Sequence, residues 1–503
     1  MSNRTTRLTE LNLAAESGGG ADRLRKHRES GRLSARQRIQ VLLDSGSFVE
    51  VDKLKTSDAV PGDGVVTGYG TIDSRQVFVY AQDFTVIGGT ISKAHGQKIC
   101  KVMDLAKQVG SPIIALLDSA GARIQEGVDA LAAYGEVLLR TMQASGVVPQ
   151  IACIMGPCVG GAACGAGMND VVLMVQDQSS LFITGPEVTH ATTNEDVTKD
   201  SLGGPKAHAE TSGVAHLVLP DDQSCLERVR ELLTYLPANN AEDPARYEDV
   251  ESTRSPDLMK IIPESPIKSY DVKHVIEAIV DGGSFFELHE AFARNVVVGL
   301  ARIGGRTIGM VANQPLHLAG CLDVDGSLKA ARFVRFCDCF NIPLLSLVDA
   351  PGFLPGTEQE HAGIVTHAAK LLYAYAEATV PKVSLVLRKA YGAAYVVMGS
   401  KHLKGDMNFA LPTAEIAVMA PESAITVVYK AELSAQPEDA LLRKRLSQTY
   451  RDDFANPFRA AERGYIDEVI PFTDARQQIG RAFDMLRDKR VASPPRKHGN
   501  IPL

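Results

Sequence analysis

Short apolar runs alternate along this chain with longer segments whose apolar residues recur at helical spacing. Residues 98–109 have that spacing and predict a helix, and residues 112–117 form a continuous apolar run of strand length. Residues 126–142 again predict a helix, and residues 150–155 predict a second buried strand. Strands separated by helices indicate parallel strands with right-handed crossovers, so the pattern predicts an α/β fold.

The same phrases occur twice in the chain. Residues 112–118 read PIIALLD and residues 343–349 read PLLSLVD, and LDSGSFVE at residues 43–50 resembles VDGGSFFE at residues 280–287. The offset between matching phrases grows slightly toward the C-terminus, which small insertions in surface loops explain. The repeat therefore predicts two tandem domains of related fold.

The boundary between these domains is expected in residues 251–266, a polar segment rich in Pro and Ser. We assign residues 1–255 to the N-terminal domain and residues 256–503 to the C-terminal domain. Each has the size of an ordinary globular domain.

A glycine-containing turn and then a helix follow each predicted strand. Such turns occupy residues 118–123 and 156–163 in the first half, and residues 349–353 and 391–395 in the second. Glycine lets backbone N–H groups approach a ligand, and the first N–H groups of a helix are unpaired. Two such turns side by side suit an oxyanion, although the glycines could also serve only to permit tight turns. Their similar separation in both halves favours the binding interpretation.

Composition excludes several classes of protein. With 53 Lys and Arg against 60 Asp and Glu the net charge is −7, which argues against a nucleic-acid partner. The eight Cys form no CxxC pair, so we expect reduced thiols and no zinc. The N-terminus has no signal-like apolar core, and the uncharged stretch 146–168 is interrupted by Pro and Gly. We therefore expect a cytoplasmic protein without a membrane span.

The motifs of common side-chain catalysts are missing. We find no G-x-S-x-G, H-E-x-x-H or G-x-x-x-x-G-K-[ST] sequence, and the 12 His are scattered.

Several phrases resemble one known family. DSAGARIQEG, GPCVGGA, VDAPGFLPGTEQEHAGI and RKAYGAAYVVMGSKHL, together with the two-fold repeat, resemble the carboxyltransferase (β) subunit of biotin-dependent acyl-CoA carboxylases, nearest to the propionyl-CoA and acetyl-CoA types. The likeness runs from about Arg23 to the C-terminus. It implies a crotonase-like (ClpP/crotonase) ββα spiral in each half. It also implies a hexamer built as a trimer of dimers, with CoA held by the N-terminal half and biotin by the C-terminal half of a neighbouring subunit.

The resemblance carries an acyl-CoA site onto the first half. The thioester carbonyl would meet the backbone amides of Gly160 and Gly161, and the turn Ala120, Gly121 and Ala122 would lie beside it. Family members usually have Gly at the Ala120 position, and Ala does not share the full backbone freedom of Gly.

A biotin site follows in the second half. The ureido carbonyl would meet the amides of Ala393 and Ala394, next to Gly392, and family members usually have Gly at the Ala393 position. Val396 occupies a position where propionyl-CoA types often have Asp, while acetyl-CoA types and decarboxylase relatives have aliphatic residues. That Val counts modestly against a strict propionyl-CoA carboxylase, and core packing explains it equally well.

The implied reaction moves a carboxyl group from carboxybiotin to the α-carbon of a short-chain acyl-CoA. In the family's mechanism the biotin nitrogen freed in the transfer takes the α-proton, so neither a side-chain base nor a metal in this chain is needed. We find no A-M-K-M-like biotinylation segment in this sequence, so biotin would arrive on a partner, a biotin carboxylase or biotin carboxyl carrier subunit. Two alternatives stay open: the corresponding subunit of a methylmalonyl-CoA or malonyl-CoA decarboxylase or transcarboxylase, and a non-catalytic scaffold.

Charged residues near the turns are expected to have structural roles. Asp118 and Arg123 flank the first turn and are predicted to brace its backbone. A basic cluster near the N-terminus could face CoA phosphates or the biotin-bearing partner, but a solvated helix face is the preferred interpretation. Its members are Arg23, Arg25, Lys26, Arg28, Arg32, Arg36 and Arg38.

Overall fold

The computed structural model describes residues 3–57, 60–252, 254 and 257–502, and the chain divides into two compact units. Unit 1 is Met1–Asp243 and unit 2 is Pro244–Leu503. The predicted boundary between residues 255 and 256 lies outside the described residues. Unit 2 begins earlier because Tyr247 packs on it: its amide donates to the Gly305 carbonyl at 2.8 Å, and the Arg302 guanidinium lies 4.0 Å from its ring centroid.

Unit 1 is an α/β structure around one sheet. Its strands are β1 (Val49–Glu50), β2 (Val65–Ile72), β3 (Arg75–Gln82), β4 (Ile113–Ser119), β5 (Gln150–Val159), β6 (Val171–Val175), β7 (Ser180–Phe182) and β8 (Leu217–Leu219). Its helices are α1 (Asn3–Glu16), α2 (Ala21–Glu29), α3 (Ala35–Leu42), α4 (Lys93–Val109), α5 (Val128–Ala144), α6 (Gly161–Gly167), α7 (Pro186–Thr193), α8 (Lys199–Gly203) and α9 (Asp222–Leu233). The four elements expected from the periodicity correspond to α4, β4, α5 and β5, so those predictions are confirmed.

Unit 2 repeats this arrangement. Its strands are β9 (Phe286–Leu288), β10 (Val296–Ile303), β11 (Arg306–Asn313), β12 (Leu344–Ala350), β13 (Lys382–Tyr391), β14 (Met407–Ala410), β15 (Glu415–Ala417) and β16 (Glu468–Val469). Its helices are α10 (Val272–Ile279), α11 (Val324–Cys339), α12 (Thr357–His361), α13 (Ile364–Glu377), α14 (Gly392–Val397), α15 (Pro421–Val428), α16 (Lys430–Ala435), α17 (Ala440–Asp453), α18 (Pro457–Glu462) and α19 (Ala475–Met485).

The two sheets have the same strand order. It is β1-β2-β3-β4-β5-β6-β8 in unit 1 and β9-β10-β11-β12-β13-β14-β16 in unit 2, with β7 added beside β5 and β15 beside β13. The first three strands of each sheet pair antiparallel, and the remaining pairs are parallel. Because parallel strands need crossover helices, both faces of the central strands are covered, and every residue of β4 and β12 is buried.

A helical lobe distinguishes unit 2 from unit 1. Helices α15 to α18 lie between β15 and β16 and have their own apolar cluster, in which Leu442, Leu446 and Tyr450 of α17 pack with Ala424 and Ile425 of α15. The corresponding helix of unit 1, α7, has no buried residue. The repeat in the sequence did not predict this lobe.

The uncharged stretch 146–168 forms β5 and α6. Within the described ranges, no helix is long and apolar enough to cross a membrane. The same residues contain no group of three or more His, Cys, Asp or Glu that could hold a metal ion.

Candidate active site

The two candidate turns of unit 1 lie at one edge of its sheet. Strands β4 and β5 pair in parallel, with Leu117 opposite Ile154 and Ser119 opposite Cys158. Their carboxyl ends therefore meet, and ligands of parallel α/β sheets bind at that edge. The turn of residues 120–122 follows β4, and helix α6 starts directly after β5.

Gly160 has a backbone conformation that only glycine adopts readily. Its φ is 70° and its ψ is −131°, and a Cβ added there would meet nothing within 4 Å, so the constraint is the backbone itself. Its amide donates to the Phe182 carbonyl of β7 at 3.1 Å. The Gly160 amide, which the resemblance assigns to the thioester carbonyl, is thus already engaged.

The next two amides belong to the first turn of α6. Gly161 and Ala162 have no intrahelical acceptor there, and within the described chain we find no other partner for their N–H groups. A Cβ on Gly161 would lie 3.0 Å from the Cδ1 atom of Tyr134, a buried residue of α5. Gly161 is therefore required for close packing, and the amides of Gly161 and Ala162 have no acceptor within the described chain.

In the turn after β4, two backbone amides already have acceptors. The Ala120 amide donates to the Gly88 carbonyl at 2.9 Å, and the Gly121 amide donates to the Ser119 hydroxyl at 3.2 Å. Gly121 has a φ of 110°, whereas neither Ala120 nor Ala122 is among the described residues with positive φ. Ala at position 120 therefore carries no steric penalty, and this turn shapes the wall of the site.

The equivalent turn of unit 2 follows β13. Gly392 has a φ of 58°, and a Cβ there would lie 3.0 Å from the Val418 carbonyl oxygen. Ala393 and Ala394 continue the first turn of α14; Ala393 is exposed and Ala394 is fully buried. Ala393 is also not among the described residues with positive φ, so its departure from the family's Gly leaves the turn unstrained.

In the register of the repeat, Ala393 and Ala394 correspond to Gly161 and Ala162, and Gly392 corresponds to Gly160. Val396 is half-buried on α14, where its carbonyl accepts a hydrogen bond from the Ser400 hydroxyl at 2.9 Å.

A buried arginine supports the turn of unit 1 from below. The Arg38 guanidinium of α3 donates to Asp118 at 2.9 Å, to Asp222 at 2.8 Å and to the Met155 carbonyl at 3.0 Å. Asp118 is fully buried, and burial raises the pKa of its carboxyl while Arg38 opposes that rise. A Cβ at position 156 would lie 2.0 Å from Oδ1 of Asp118, so Gly156 makes room for the carboxylate.

Asp349, the counterpart of Asp118 in unit 2, is paired differently. Arg388, from the adjacent strand β13, donates to Asp349 at 3.1 Å, and the Tyr270 hydroxyl donates to the same oxygen at 3.0 Å. Arg388 is equivalent to Gly156. Each half therefore neutralises its buried aspartate with an arginine, but from a different element.

Arg123 also braces the first turn, as its position in the sequence suggested. Its guanidinium donates to Asp63 at 2.6 Å and to the Thr90 carbonyl at 3.1 Å, and Asp63 also accepts from the Ser92 hydroxyl. All of these partners lie within unit 1. Neither Asp118 nor Arg123 is free to meet a substrate in this arrangement.

The N-terminal basic cluster is not one solvated face. Arg38 is buried, Arg36 forms two hydrogen bonds with Glu50 at 2.9 and 3.0 Å, and Arg32 donates to the Gln178 carbonyl at 2.9 Å. The solvated interpretation is therefore wrong for Arg38. It describes the four members on α2, which are exposed: Arg23, Arg25, Lys26 and Arg28.

Two tyrosine side chains support the turns, and no sequence motif predicts this role for them. Tyr134 underlies Gly161, and Tyr391 precedes Gly392 and donates its hydroxyl hydrogen to Glu415. Tyr391 was visible only as the Tyr of the YGAAY phrase.

Comparisons with known proteins identify relatives over the full length. The family model described as the carboxyl transferase domain matches residues 26–501. The chain is 51% identical to the propionyl-CoA carboxylase carboxyltransferase subunit of Haloferax mediterranei, covering 100% of both chains. It is 50% identical to the human mitochondrial propionyl-CoA carboxylase beta chain, covering 97% of this chain and 91% of that one.

A solved structure has the same fold. The crystal structure of transcarboxylase 12S, a hexamer with methylmalonyl-CoA and methylmalonic acid bound, superposes with a TM-score of 0.96 at 44% identity and covers 100% of this chain and 99% of that chain. The resemblance seen in the motifs, the tandem crotonase-like fold and the assignment as an enzyme are thereby confirmed. This chain belongs to the carboxyl transferase family, as a carboxyltransferase (β) subunit of the biotin-dependent acyl-CoA carboxylase type.

Proposed function

We propose that this chain transfers a carboxyl group from carboxybiotin, held by a partner protein, to the α-carbon of propionyl-CoA. The observation that carries the proposal is the pair of equivalent helix starts, residues 161–162 in unit 1 and 393–394 in unit 2, where backbone amides follow a glycine of positive φ. The names of the relatives at about 50% identity favour propionyl-CoA. The aliphatic Val396 argues the other way, but it is also compatible with packing on α14.

The acyl-CoA site uses main-chain hydrogen-bond donors. Removal of the α-proton places negative charge on the thioester oxygen, and donors fixed in advance stabilise such an oxyanion by about 10²- to 10³-fold in rate for each donor. We assign this role to the amides of Gly161 and Ala162. Gly160 sets the geometry, since its own amide is held by Phe182.

The biotin site of unit 2 fits a neutral ureido carbonyl. At Gly392 the chain passes close to the Val418 carbonyl, and the amides of Ala393 and Ala394 follow in the first turn of α14. Carboxybiotin supplies the carboxyl group and, once that is released, a ring nitrogen that accepts the α-proton. The residues of this chain orient the ring and donate to its carbonyl oxygen, and no titrating side chain is assigned a step.

We also propose the family's assembly, a hexamer built as a trimer of dimers in which the acyl-CoA turn of one subunit works with the biotin turn of its neighbour. The transcarboxylase 12S hexamer supports this. So do the exposed apolar side chains of α5, since Val128, Leu131 and Met142 are 77%, 68% and 53% exposed in the isolated chain. Biotin would come from a biotin carboxylase or carrier subunit. The eight free cysteines agree with a reducing compartment, the cytoplasm.

A second candidate function is transcarboxylation or decarboxylation from methylmalonyl-CoA. The specific observation in its favour is the TM-score of 0.96 to transcarboxylase 12S with methylmalonyl-CoA bound. The scaffold alternative rested on Ala120 and Ala393, and neither residue has a strained backbone or lacks its N–H.

The half-reaction tests the proposal directly. Purified protein with methylmalonyl-CoA and free biotin should release CO2 in a biotin-dependent manner, and the reaction with malonyl-CoA should be slower. Ala162→Pro removes one proposed donor at a helix position where Pro is tolerated, and Ala162→Gly is the matched control that keeps it. Loss of activity in the Pro variant alone is expected. Equal activity in both variants would remove the Ala162 amide from the mechanism.

The shared site is tested by mixing two inactive variants. Hexamers formed from Ala162→Pro and Ala393→Pro chains should regain part of the activity, because some neighbouring pairs then combine an intact acyl-CoA turn with an intact biotin turn. No recovery in mixed hexamers verified by mass spectrometry would contradict the shared site. Mass spectrometry of the biotinylated polypeptide that co-purifies, and of the proteins bound to it, then distinguishes a carboxylase from a transcarboxylase or decarboxylase, because only the carboxylase has a biotin carboxylase partner.

A further inference from the structure

One guanidinium joins the helical lobe of unit 2 to the strand that carries the biotin turn. Arg451 of α17 donates to Glu415 of β15 at 3.1 Å and also to Glu422, in the first turn of α15. The second carboxylate oxygen of Glu415 accepts the hydroxyl hydrogen of Tyr391, the last residue of β13. Gly392 comes next in the chain. A continuous path of hydrogen bonds therefore runs from α17 to the start of the turn.

The members of this path are well sheltered. The side chain of Arg451 is 23% exposed and that of Glu415 is 15% exposed, and Tyr391 is 5% exposed. Burial and the neighbouring Glu415 carboxylate raise the pKa of the Tyr391 phenol, so it remains a donor across the ordinary pH range. Charge-assisted hydrogen bonds in such surroundings are stronger than exposed ion pairs and restrict the geometry of both partners.

The shared fold does not require this path. In unit 1 the position of Tyr391 is held by Val159, and that of Glu415 by Ser180, because Pro157 pairs with Ser180 as Lys389 pairs with Glu415. Helix α17 has 14 residues, whereas the longest helix in the matching segment of unit 1, between β7 and β8, is α7 with 8 residues. The path is therefore a feature of unit 2, whose turn is assigned to biotin, and the matching positions of unit 1 do not form it.

We propose that Arg451 and Glu415 are positioning residues for the carboxybiotin side of the reaction, acting through Tyr391 on the backbone that starts at Gly392. Arg451 fixes the Glu415 carboxylate, and Glu415 fixes the Tyr391 ring. A rotation of the chain at Tyr391 would swing the amides of Ala393 and Ala394 together. Donors must be held within about 0.5 Å to act on a developing charge, so loosening this path should weaken the use of biotin. The inference rests on the proposed biotin site of unit 2.

The test compares the two substrates of the half-reaction. In Arg451→Met and Tyr391→Phe, kcat/KM for free biotin in the decarboxylation of methylmalonyl-CoA should fall by about tenfold or more, since misplacement by 1 Å costs up to about 10²-fold. KM for methylmalonyl-CoA should stay within about twofold, because its site lies in unit 1. Arg451→Lys should recover part of the loss, since it keeps the charge but not the paired geometry.

Arg459→Met is the matched control in the same lobe. Arg459 donates to Glu462 at 2.9 Å on an exposed surface, where its side chain is 49% exposed, so both kinetic parameters should match wild type. Hexamer size and thermal unfolding monitor the fold, and Tyr391→Phe changes only one hydroxyl if Arg451→Met fails to fold.

The outcomes are separable. Wild-type protein without any biotin-dependent activity would overturn the proposed function, and this inference with it. An active wild type whose Arg451 and Tyr391 variants keep normal kcat/KM for biotin would overturn the positioning role alone. A rise in KM for methylmalonyl-CoA as large as the loss of kcat/KM for biotin would also overturn the positioning role.

Discussion

The backbone amide of Lys389 donates a hydrogen bond to Oδ1 of Asp349 at 3.1 Å. The equivalent residue in unit 1 is Pro157, which has no amide hydrogen, and Oδ1 of the equivalent Asp118 is buried without a partner in the described chain. A single residue thus leaves one oxygen of the carboxylate beneath the proposed acyl-CoA turn without a hydrogen bond, whereas both oxygens of its counterpart beneath the proposed biotin turn accept one.

The first prediction is that Pro157→Ala stabilises the protein. The new amide can donate to a buried, charged oxygen, and that gain should exceed the conformational entropy returned to the unfolded chain, for a net increase of about 1 kcal/mol in the free energy of unfolding. Lys389→Pro should do the opposite. Urea denaturation of both variants measures the effect, and a loss of stability in Pro157→Ala would contradict it.

The second prediction concerns two arginines of α3. Arg38→Met leaves Asp118 and Asp222 buried without their cation and should cost about 3–5 kcal/mol or prevent folding. Arg36→Met breaks a pair with Glu50 in which the side chains are 26% and 12% exposed, and because this pair still reaches solvent the change should cost about 1 kcal/mol. Thermal unfolding of the two variants compares them. Similar losses would mean that burial of the Arg38 cluster does not govern its contribution.

The third prediction concerns Gly160. Gly160→Ala has room for its methyl group but forces a φ of 70° and a ψ of −131° on a residue with a Cβ, so the turn must shift. We expect decarboxylation of methylmalonyl-CoA to fall by about 10²-fold, since a shift of the order of 1 Å displaces the donors. Gly480→Ala in α19 is the control, because its Cβ makes an ordinary 3.7 Å contact with Ile303. Normal activity in Gly160→Ala would show that the conformation is dispensable.

The fourth prediction concerns a pair of buried lysines at matching positions. Lys329 donates to the carbonyls of His289 and Phe292 at 2.9 and 2.8 Å, and Lys98 donates to that of Gly62 at 2.8 Å. Burial lowers the pKa of Lys329 to about 7 and that of Lys98 to about 8.

Between pH 7 and the ordinary lysine pKa of 10.5, Lys329 is neutral in the folded protein and protonated in the unfolded chain. Unfolding therefore takes up a proton in this pH range. The contribution of Lys329 to the free energy of unfolding is therefore fully present above the pKa of this lysine in the unfolded chain, and it is lost as the pH falls toward 7. The stability of wild type relative to Lys329→Met should thus increase from pH 7 to pH 9.5, by roughly 3 kcal/mol at most. Denaturant midpoints at four pH values test this, with Lys206→Met as an exposed control. A flat difference would mean that Lys329 stays charged when folded.

The repeat made the architecture predictable, because matching phrases in both halves require matching strands, and the two sheets indeed have one strand order. The turns were predictable for the same reason. The engagement of the Gly160 amide was not, since its acceptor, Phe182, lies in a three-residue strand whose pairing with β5 has no local signal. The Arg38 pairs were hidden for a related reason: Asp118 and Asp222 are 80 and 184 residues away.

The repeat did not predict the lobe of α15 to α18, because the matching phrases of the two halves end at the start of α15, whose counterpart is α7. The sequence does not distinguish Arg451 of this lobe from other surface arginines, because its partners Glu415 and Glu422 come near it only in the folded chain. The identity of the acyl group is also not written in one residue, since Val396 and the relatives point in different directions.

The hydrogen-bond donors proposed for both substrates are backbone peptide groups, and this limits which substitutions can remove them. No codon change at position 161, 162, 393 or 394 deletes such a donor unless it encodes proline. Selection at these positions therefore acts on the shape of the loop and not on the identity of a functional group. Alanine at position 393 keeps its N–H group and has no positive φ, so it meets this requirement.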